Sequence, residues 1–391
     1  MKTLIRNVKL FDGTALAPRP MDVLFDESGI LAVKEAGAAP AAADAVVDGT
    51  GKTLTPGLID GHVHLGSLSM SSPTDPKGHT AAGALIAAQV QDLRRWGITA
   101  VRNCGTGVNA DLVVRDMIRD GLIDGARIVG CGRCICITGG HAWPMGIETD
   151  TVDETRKAAR LQLREGADFV KLMATGGMGT KGSVPNAPQL TEAQMRAAAE
   201  EAASVGKFTA HCTGLAGAMN AIRAGVNIIE HAQLDEPTAE ALARSGAAWC
   251  PTIVTRYSIL HTTDPAYQWM RAKADPGDLV RKQKALMLCK EYGIPVIAGT
   301  DAGPNAMVRL GEALWTELGI YQEYGMTAQE VLHACTAGAA EILRIGETTG
   351  SVRTGLAADL ALFEGDVTAD VTAVKTLCRV WQGGVQKYVR L

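Results

Sequence analysis

The sequence has no run of basic residues, no acidic tail and no stretch approaching the about 20 uninterrupted apolar residues of a membrane span. Its 38 Lys and Arg and 42 Asp and Glu leave a formal net charge of -4, spread along the chain. Without a basic track to follow phosphates, neither nucleic acid nor a membrane is expected as a partner. The N-terminus, MKTLIRNVKLFDG, alternates like a strand and lacks the apolar core and small-residue cleavage site of a signal peptide, so a cytoplasmic protein is expected. A disulfide framework is missing as well. The nine cysteines are odd in number, and Cys104, Cys131 and Cys250 lie in apolar strand-like runs where a reduced thiol packs as a small hydrophobe. Cys131, Cys134 and Cys136 in GCGRCICITGG could begin a zinc knuckle, but no second pair follows at a matching distance. Period-two spacing on a strand accounts for Cys134 and Cys136 equally well. Repeats are absent, and the one low-complexity tract, AGAAPAAADA, reads as a surface loop.

What is present is a chain of 391 residues, 47% of them hydrophobic, enough for one large core and a smaller domain. Between residues 54 and 303, short apolar runs alternate with Ala-, Leu-, Arg- and Glu-rich stretches at helical spacing, the pattern of parallel βα units. Eight candidate strands lie at 54–65, 98–105, 126–136, 168–177, 207–212, 227–232, 248–254 and 295–303. Eight such units predict an α/β fold, a (β/α)8 TIM barrel over 54–351. Residues 1–53 and 352–391 hold further strand-like pieces, and neither end could bury a core alone. Together they predict a small β-sandwich domain formed by both termini.

Active sites of such barrels lie at the C-terminal ends of the strands. The first strand ends in His62-Val63-His64, and period-two spacing turns both imidazoles to one side, as two ligands of one ion require. The fifth ends in His211, the sixth in His231 and the eighth in Asp301, while Lys171 lies on the fourth. Any one of these could be a satisfied core side chain, but their joint placement at the mouth favours a metal site. His141 follows Gly139-Gly140 in the loop after the third strand, and Gly176 and Gly177 after the fourth either allow close backbone approach near the metals or form a plain tight turn. Arg256 and Tyr257 after the seventh could bind a substrate carboxylate or carbonyl, or form an exposed loop pair. His79 and His261 are expected in loops near the mouth, with a supporting role open; His333 is expected to be structural. Asn103 and Thr300 are candidates for orienting ligands.

The segment PGLIDGHVHLG, the lone histidines after strands five and six, and GTDAG after strand eight resemble the amidohydrolase superfamily over essentially the whole chain. VKLMATGG and TGGHA resemble the subgroup of dipeptidases and related amide hydrolases in which the strand-four lysine is carboxylated. The resemblance implies two divalent metal ions. His62, His64 and Asp301 would hold the more buried one, His211 and His231 the other, and a CO2-derived carbamate on Lys171 would bridge both. An ammonium beside two cations would be repelled, whereas a carbamate supplies two anionic oxygens. The ligands suit zinc, and manganese, cobalt or iron would fit the same set. The family implies attack by metal-activated hydroxide, Asp301 as catalytic proton carrier, and His141 in contact with substrate. It also implies a homo-oligomer, since these barrels commonly associate.

The substrate implied is a small-molecule amide. Dipeptidases of this subgroup show an aromatic hydroxyl two residues after the strand-five histidine, where this chain has Thr213. Thr213 can donate one hydrogen bond but is shorter, which weakens the case for plain dipeptides and leaves N-acyl amino acids and related amides open. Cyclic amide hydrolysis of the imidazolonepropionase type is the second reading, against which Lys171 counts; no HxxE follows strand five to suggest a deaminase. A non-catalytic binding protein on the same fold would be expected to have lost ligands that this chain retains.

Overall fold

The computed structural model describes residues 1–39, 42–66, 76–203, 208–303 and 307–390. The expected loop around residue 40 and the strand start at Lys207 lie partly or wholly outside them. Five strands open the chain: β1 (Thr3–Leu10), β2 (Met21–Asp26), β3 (Gly29–Glu35), β4 (Ala45–Asp48) and β5 (Thr53–Pro56). β1 pairs antiparallel with β2 and parallel with β4 and β5. Its register slips between Ile5 and Val8, where Asn7 takes a φ of 55° and donates its backbone N–H to Asp22. Asparagine tolerates that left-handed conformation better than a branched residue would.

The central units follow. β6 (Leu58–Val63), β7 (Ile98–Asn103) and β8 (Arg127–Gly130) form one parallel sheet. β9 (Cys134–Cys136), β10 (Gly146–Glu148), β11 (Val170–Met173), β12 (Phe208–His211), β13 (Ile228–Glu230) and β14 (Ala248–Cys250) form a second, also parallel, in the order β10-β9-β11-β12-β13-β14. The central strands are buried along nearly their whole length, which is why they read as continuous apolar runs. The intervening helices begin where the chain offers caps: Thr151 with Glu154 and Thr191 with Gln194 each close a reciprocal capping box.

Three expected strands are corrected in detail. The third is broken: Gly132, at φ 67°, kinks the chain, and Asp168 and Gln162 accept the N–H groups of Gly130 and Arg133. The seventh stops at Cys250, because Thr252 turns left-handed (φ 46°) and starts the helix Ile253–His261. The carboxylate of Glu317 accepts the first two N–H groups of that helix, so Ile253 and Val254 are helical. The eighth makes only isolated bridges, Trp249 to Val296 and Val63 to Ala302, which put it between β14 and β6. Its extended run ends where Thr300 bonds to Asp60 and Asp301 takes φ 58°.

β15 (Leu360–Phe363), β16 (Leu377–Gln382) and β17 (Val385–Val389) complete the terminal sheet in the order β17-β16-β15-β5-β1-β2-β3, so both chain ends share one hydrogen-bonded path. β5 belongs to that path and straddles the expected boundary at 53/54. Ile5, Val23, Phe25, Leu360 and Trp381 pack its core, apart from the larger core of the central units. Among the described residues no helix is long and apolar enough to cross a membrane.

Candidate metal centre and substrate cavity

At the C-terminal end of β6 the two histidines of the HxH face one another, with Nε2 atoms 3.4 Å apart. Asp301 Oδ1 lies 3.4 Å from His62 Nε2 and 3.2 Å from His64 Nε2. His64 Nδ1 is 3.0 Å from the carbonyl of Gly105. A carbonyl only accepts, so Nδ1 carries the proton and the Nε2 lone pair is turned toward Asp301. His231 sits with φ 57° immediately after β13, its Nδ1 2.5 Å from Thr252 Oγ1. The rings of His62 and His231 are 4.7 Å apart, those of His211 and His231 4.5 Å, and those of His141 and His211 4.4 Å. The five sequence-predicted histidines are thus gathered with Asp301 in one place.

Burial lowers the pKa of His62, His211 and His231 well below the usual imidazole value, with the Lys171 cation adding to it; burial brings His141 to about 3. At neutral pH these rings are uncharged, so each keeps one nitrogen lone pair. Nδ1 of His62 and Nε2 of both His211 and His231 are buried with no hydrogen-bond partner. A buried polar nitrogen without a partner is costly; His62 Nδ1 lies 3.6 Å from Glu230, while the Nε2 atoms belong to two histidines that line one cavity and fit a cation that is to be ligated. Among the described residues two groups have ligand atoms within 4.8 Å of one another: His62, His64 and Asp301; and His62, Glu230 and His231. The donor set therefore suits divalent metal.

Lys171, fully buried, meets Glu230, whose other oxygen forms an ion pair with Arg102 at 2.6 Å. Burial, the largest effect, lowers the lysine's pKa, but the Glu230 carboxylate together with its other neighbours leaves it raised. Arg102 also donates to Gly61 O at 2.6 Å, tying β7 to the strand that carries the HxH. Beneath His62, Asp60 is pushed up to about 7 by burial, against the lowering effect of its bond from Thr300. Glu230, Arg102 and Asp60 escaped the sequence reading; their only signal was charge inside otherwise apolar strands. Lys282 escaped as well. It donates to the carbonyls of His231 and Pro251 at 2.5 and 2.8 Å, and burial brings its pKa to about 7.

The centre opens into a cavity of about 300 Å3. His141, Arg256 and Asp301 reach it beside the apolar Met145, Met173 and Met178. Several expected roles are corrected by what these side chains touch. Thr213 lines the cavity, but its hydroxyl donates to Gly176 O at 3.1 Å and accepts from Asn186 N, so its one hydrogen is already engaged. Arg256 is no exposed loop residue: it lies on the helix Ile253–His261, 3.1 Å from Asp278. Tyr257 lies on the same helix, faces solvent and stacks on His261 at 4.3 Å, outside the cavity wall. His79 and His261 are on helices, not loops, and both are exposed. His333 holds Gly13 O at 2.9 Å, a structural contact. Asn103 accepts from Leu65 N and donates to Asp111, anchoring the chain just past His64.

The amidohydrolase family model matches residues 53–385. The chain belongs to the amidohydrolase family. It is a hydrolase acting on carbon–nitrogen bonds. Among its relatives is the ochratoxinase of Aspergillus niger, 28% identical over 376 residues that cover 85% of this chain and 75% of that protein. A crystal structure of a Xaa-Pro dipeptidase with methionine bound in its active site is 27% identical, covers both chains completely and superposes with a TM-score of 0.86. The imidazolonepropionase of Vibrio cholerae is 23% identical over 355 residues, 82% of this chain and 81% of that protein. The ochratoxinase and dipeptidase relatives fit the dipeptidase-like subgroup of the family.

Proposed function

We propose that this amidohydrolase cleaves a linear C–N amide bond, in a dipeptide, an N-acyl amino acid or a related amide, with two divalent metal ions. The observation that carries the reading is the pair of buried, unpartnered Nε2 atoms of His211 and His231, at the end of a mainly apolar cavity that Asp301 and His64 also line. His62, His64 and Asp301 would hold one ion, His211 and His231 the second, and Lys171, as a carbamate, would bridge them on a closed (β/α)8 barrel capped by the terminal β-sandwich. Zinc is the ion proposed. Bound there, such ions supply Lewis acidity to a carbonyl and bring the pKa of water from about 15.7 toward about 7.

The chain's own residues do the rest. Asp301 takes the proton of the attacking water and delivers it to the leaving nitrogen. Thr180 Oγ1 accepts from Ala142 N and lies 3.0 Å from His141 Nδ1. Its hydroxyl hydrogen is therefore free for Nδ1, which leaves the proton of the neutral imidazole on Nε2 as a donor to the oxygen of the scissile carbonyl. Arg256, paired with Asp278, a carboxylate it shares with Arg281, is the cavity's cation for a substrate carboxylate. The test is to load the protein with zinc and bicarbonate, count bound metal, and screen dipeptides, N-acyl amino acids and cyclic amides for turnover. Two metals with turnover of linear amides supports the reading; one metal with turnover confined to ring amides replaces it with hydrolysis of the imidazolonepropionase type.

A further inference from the structure

His141 is held in place by a loop, and that loop is itself held from across the cavity. Gly177 lies so close to the His141 ring that a Cβ there would collide with Nε2. Ser183 Oγ accepts from Gly177 N at 3.1 Å, and Thr180 Oγ1 contacts His141 Nδ1. Both Thr180 and Ser183 turn their backbone carbonyls to one ammonium: Lys273 Nζ donates to Thr180 O at 2.9 Å and to Ser183 O at 3.0 Å. Lys273 follows the short helix Gln268–Arg271, about 90 residues along the chain, and its ammonium also sits 5.0 Å above the ring of Trp269. Below this clasp Met178 of the loop packs with Ile259 and Met270 of the helical segment, and all three line the apolar end of the cavity.

We propose that Lys273 is a positioning residue that latches the segment 253–274 onto the loop 176–183, holding His141 in its working orientation and closing an apolar roof over a bulky apolar or aromatic group of the substrate. The latch rests on charge-assisted bonds from a partly desolvated ammonium, stronger than bonds between neutral groups. Burial lowers the pKa of Lys273, consistent with that position. Methionine side chains adapt to varied shapes and make favourable contacts with aromatic rings, so a roof of Met178 and Met270 accepts apolar bulk better than charge. The substrate half of the proposal depends on the amide-hydrolase reading above; the latch does not.

The experiment compares Lys273→Met, Lys273→Arg and, as a control, Lys181→Met, whose ammonium lies 5.9 Å from the same Trp269 ring. Hydrogen–deuterium exchange of the metal-free protein is read first. In Lys273→Met the amides of Ala142, Gly177 and Ser183 should exchange on the order of tenfold faster, the factor for losing about 1.4 kcal/mol. Lys273→Arg should restore protection and Lys181→Met should leave it unchanged; unaltered exchange in Lys273→Met overturns the latch whatever the enzyme hydrolyses. With zinc-loaded protein, Lys273→Met should raise KM for amides carrying an aromatic or branched apolar group more than for an acetyl or glycyl amide, at unchanged metal content. An equal loss on both overturns the roof as a specificity element, and absence of turnover by the unaltered enzyme overturns the function while the exchange result still decides the latch.

Discussion

Glu230 meets two buried cations, Arg102 and Lys171, and all three side chains are at most 1% exposed. The three groups together carry +1; Glu230→Gln raises this to +2 with almost no change in volume. Removing one partner of a buried ion pair costs about 3–5 kcal/mol, because the remaining charge stays desolvated. An unfolding entropy of about 2.1 cal/mol/K per residue, taken over 391 residues, makes that a fall in Tm of roughly 4–6 °C. Differential scanning calorimetry of the metal-free, bicarbonate-free protein measures it. Lys171→Met placed on top of Glu230→Gln removes one stranded cation and should recover at least ~1 kcal/mol, about 1 °C, relative to additivity. A fall below about 1 °C in the single variant, or strict additivity in the pair, would refute the idea that Glu230 neutralises the floor of the site.

Asp301→Asn should lower kcat by a factor on the order of a hundred or more while bound metal falls far less, because proton transfer is lost but one oxygen ligand remains; comparable losses of both would make Asp301 a ligand only. Gly177→Ala should reduce kcat/KM about tenfold at constant metal content, since its new methyl group meets His141 Nε2; an unchanged rate would mean His141 does not touch substrate. Glu201 is held down to about 2 by its bonds from Arg160 and Arg156. A depressed carboxylate pKa gives stability that is complete above the unfolded value of about 4.5 and is lost as pH falls through about 2. Glu201→Gln should therefore lower Tm at pH 7, and the difference from the parent protein should shrink between about pH 4.5 and 2.

The parts of the site that were legible along the chain are those set by local geometry. Period two turns His62 and His64 to one side, and the ends of β12 and β13 mark His211 and His231. The eighth strand was harder, since 295–303 carries a strand-like apolar run yet bonds only at isolated points, its last turn dictated by Asp60 on another strand. Tyr257 was misjudged because the chain turns at Thr252 into a helix whose first N–H groups depend on Glu317, some 60 residues away. Thr213 looked like a free donor until its hydroxyl was seen to hold Gly176 and Asn186.

Read along the chain, the sequence carried the alternation of strands and helices, the strand-forming pieces at its two ends, and the identity of the clustered histidines. These follow from patterns that repeat over a few residues: side-chain alternation, helical spacing, caps and apolar runs. Only the tertiary structure decided how Lys171 is neutralised, which hydroxyls are already engaged, and that Lys273 reaches across to Thr180 and Ser183. Charge and desolvation act through space over a few ångströms, and the residues within that reach of one another here are separated by tens of positions along the chain.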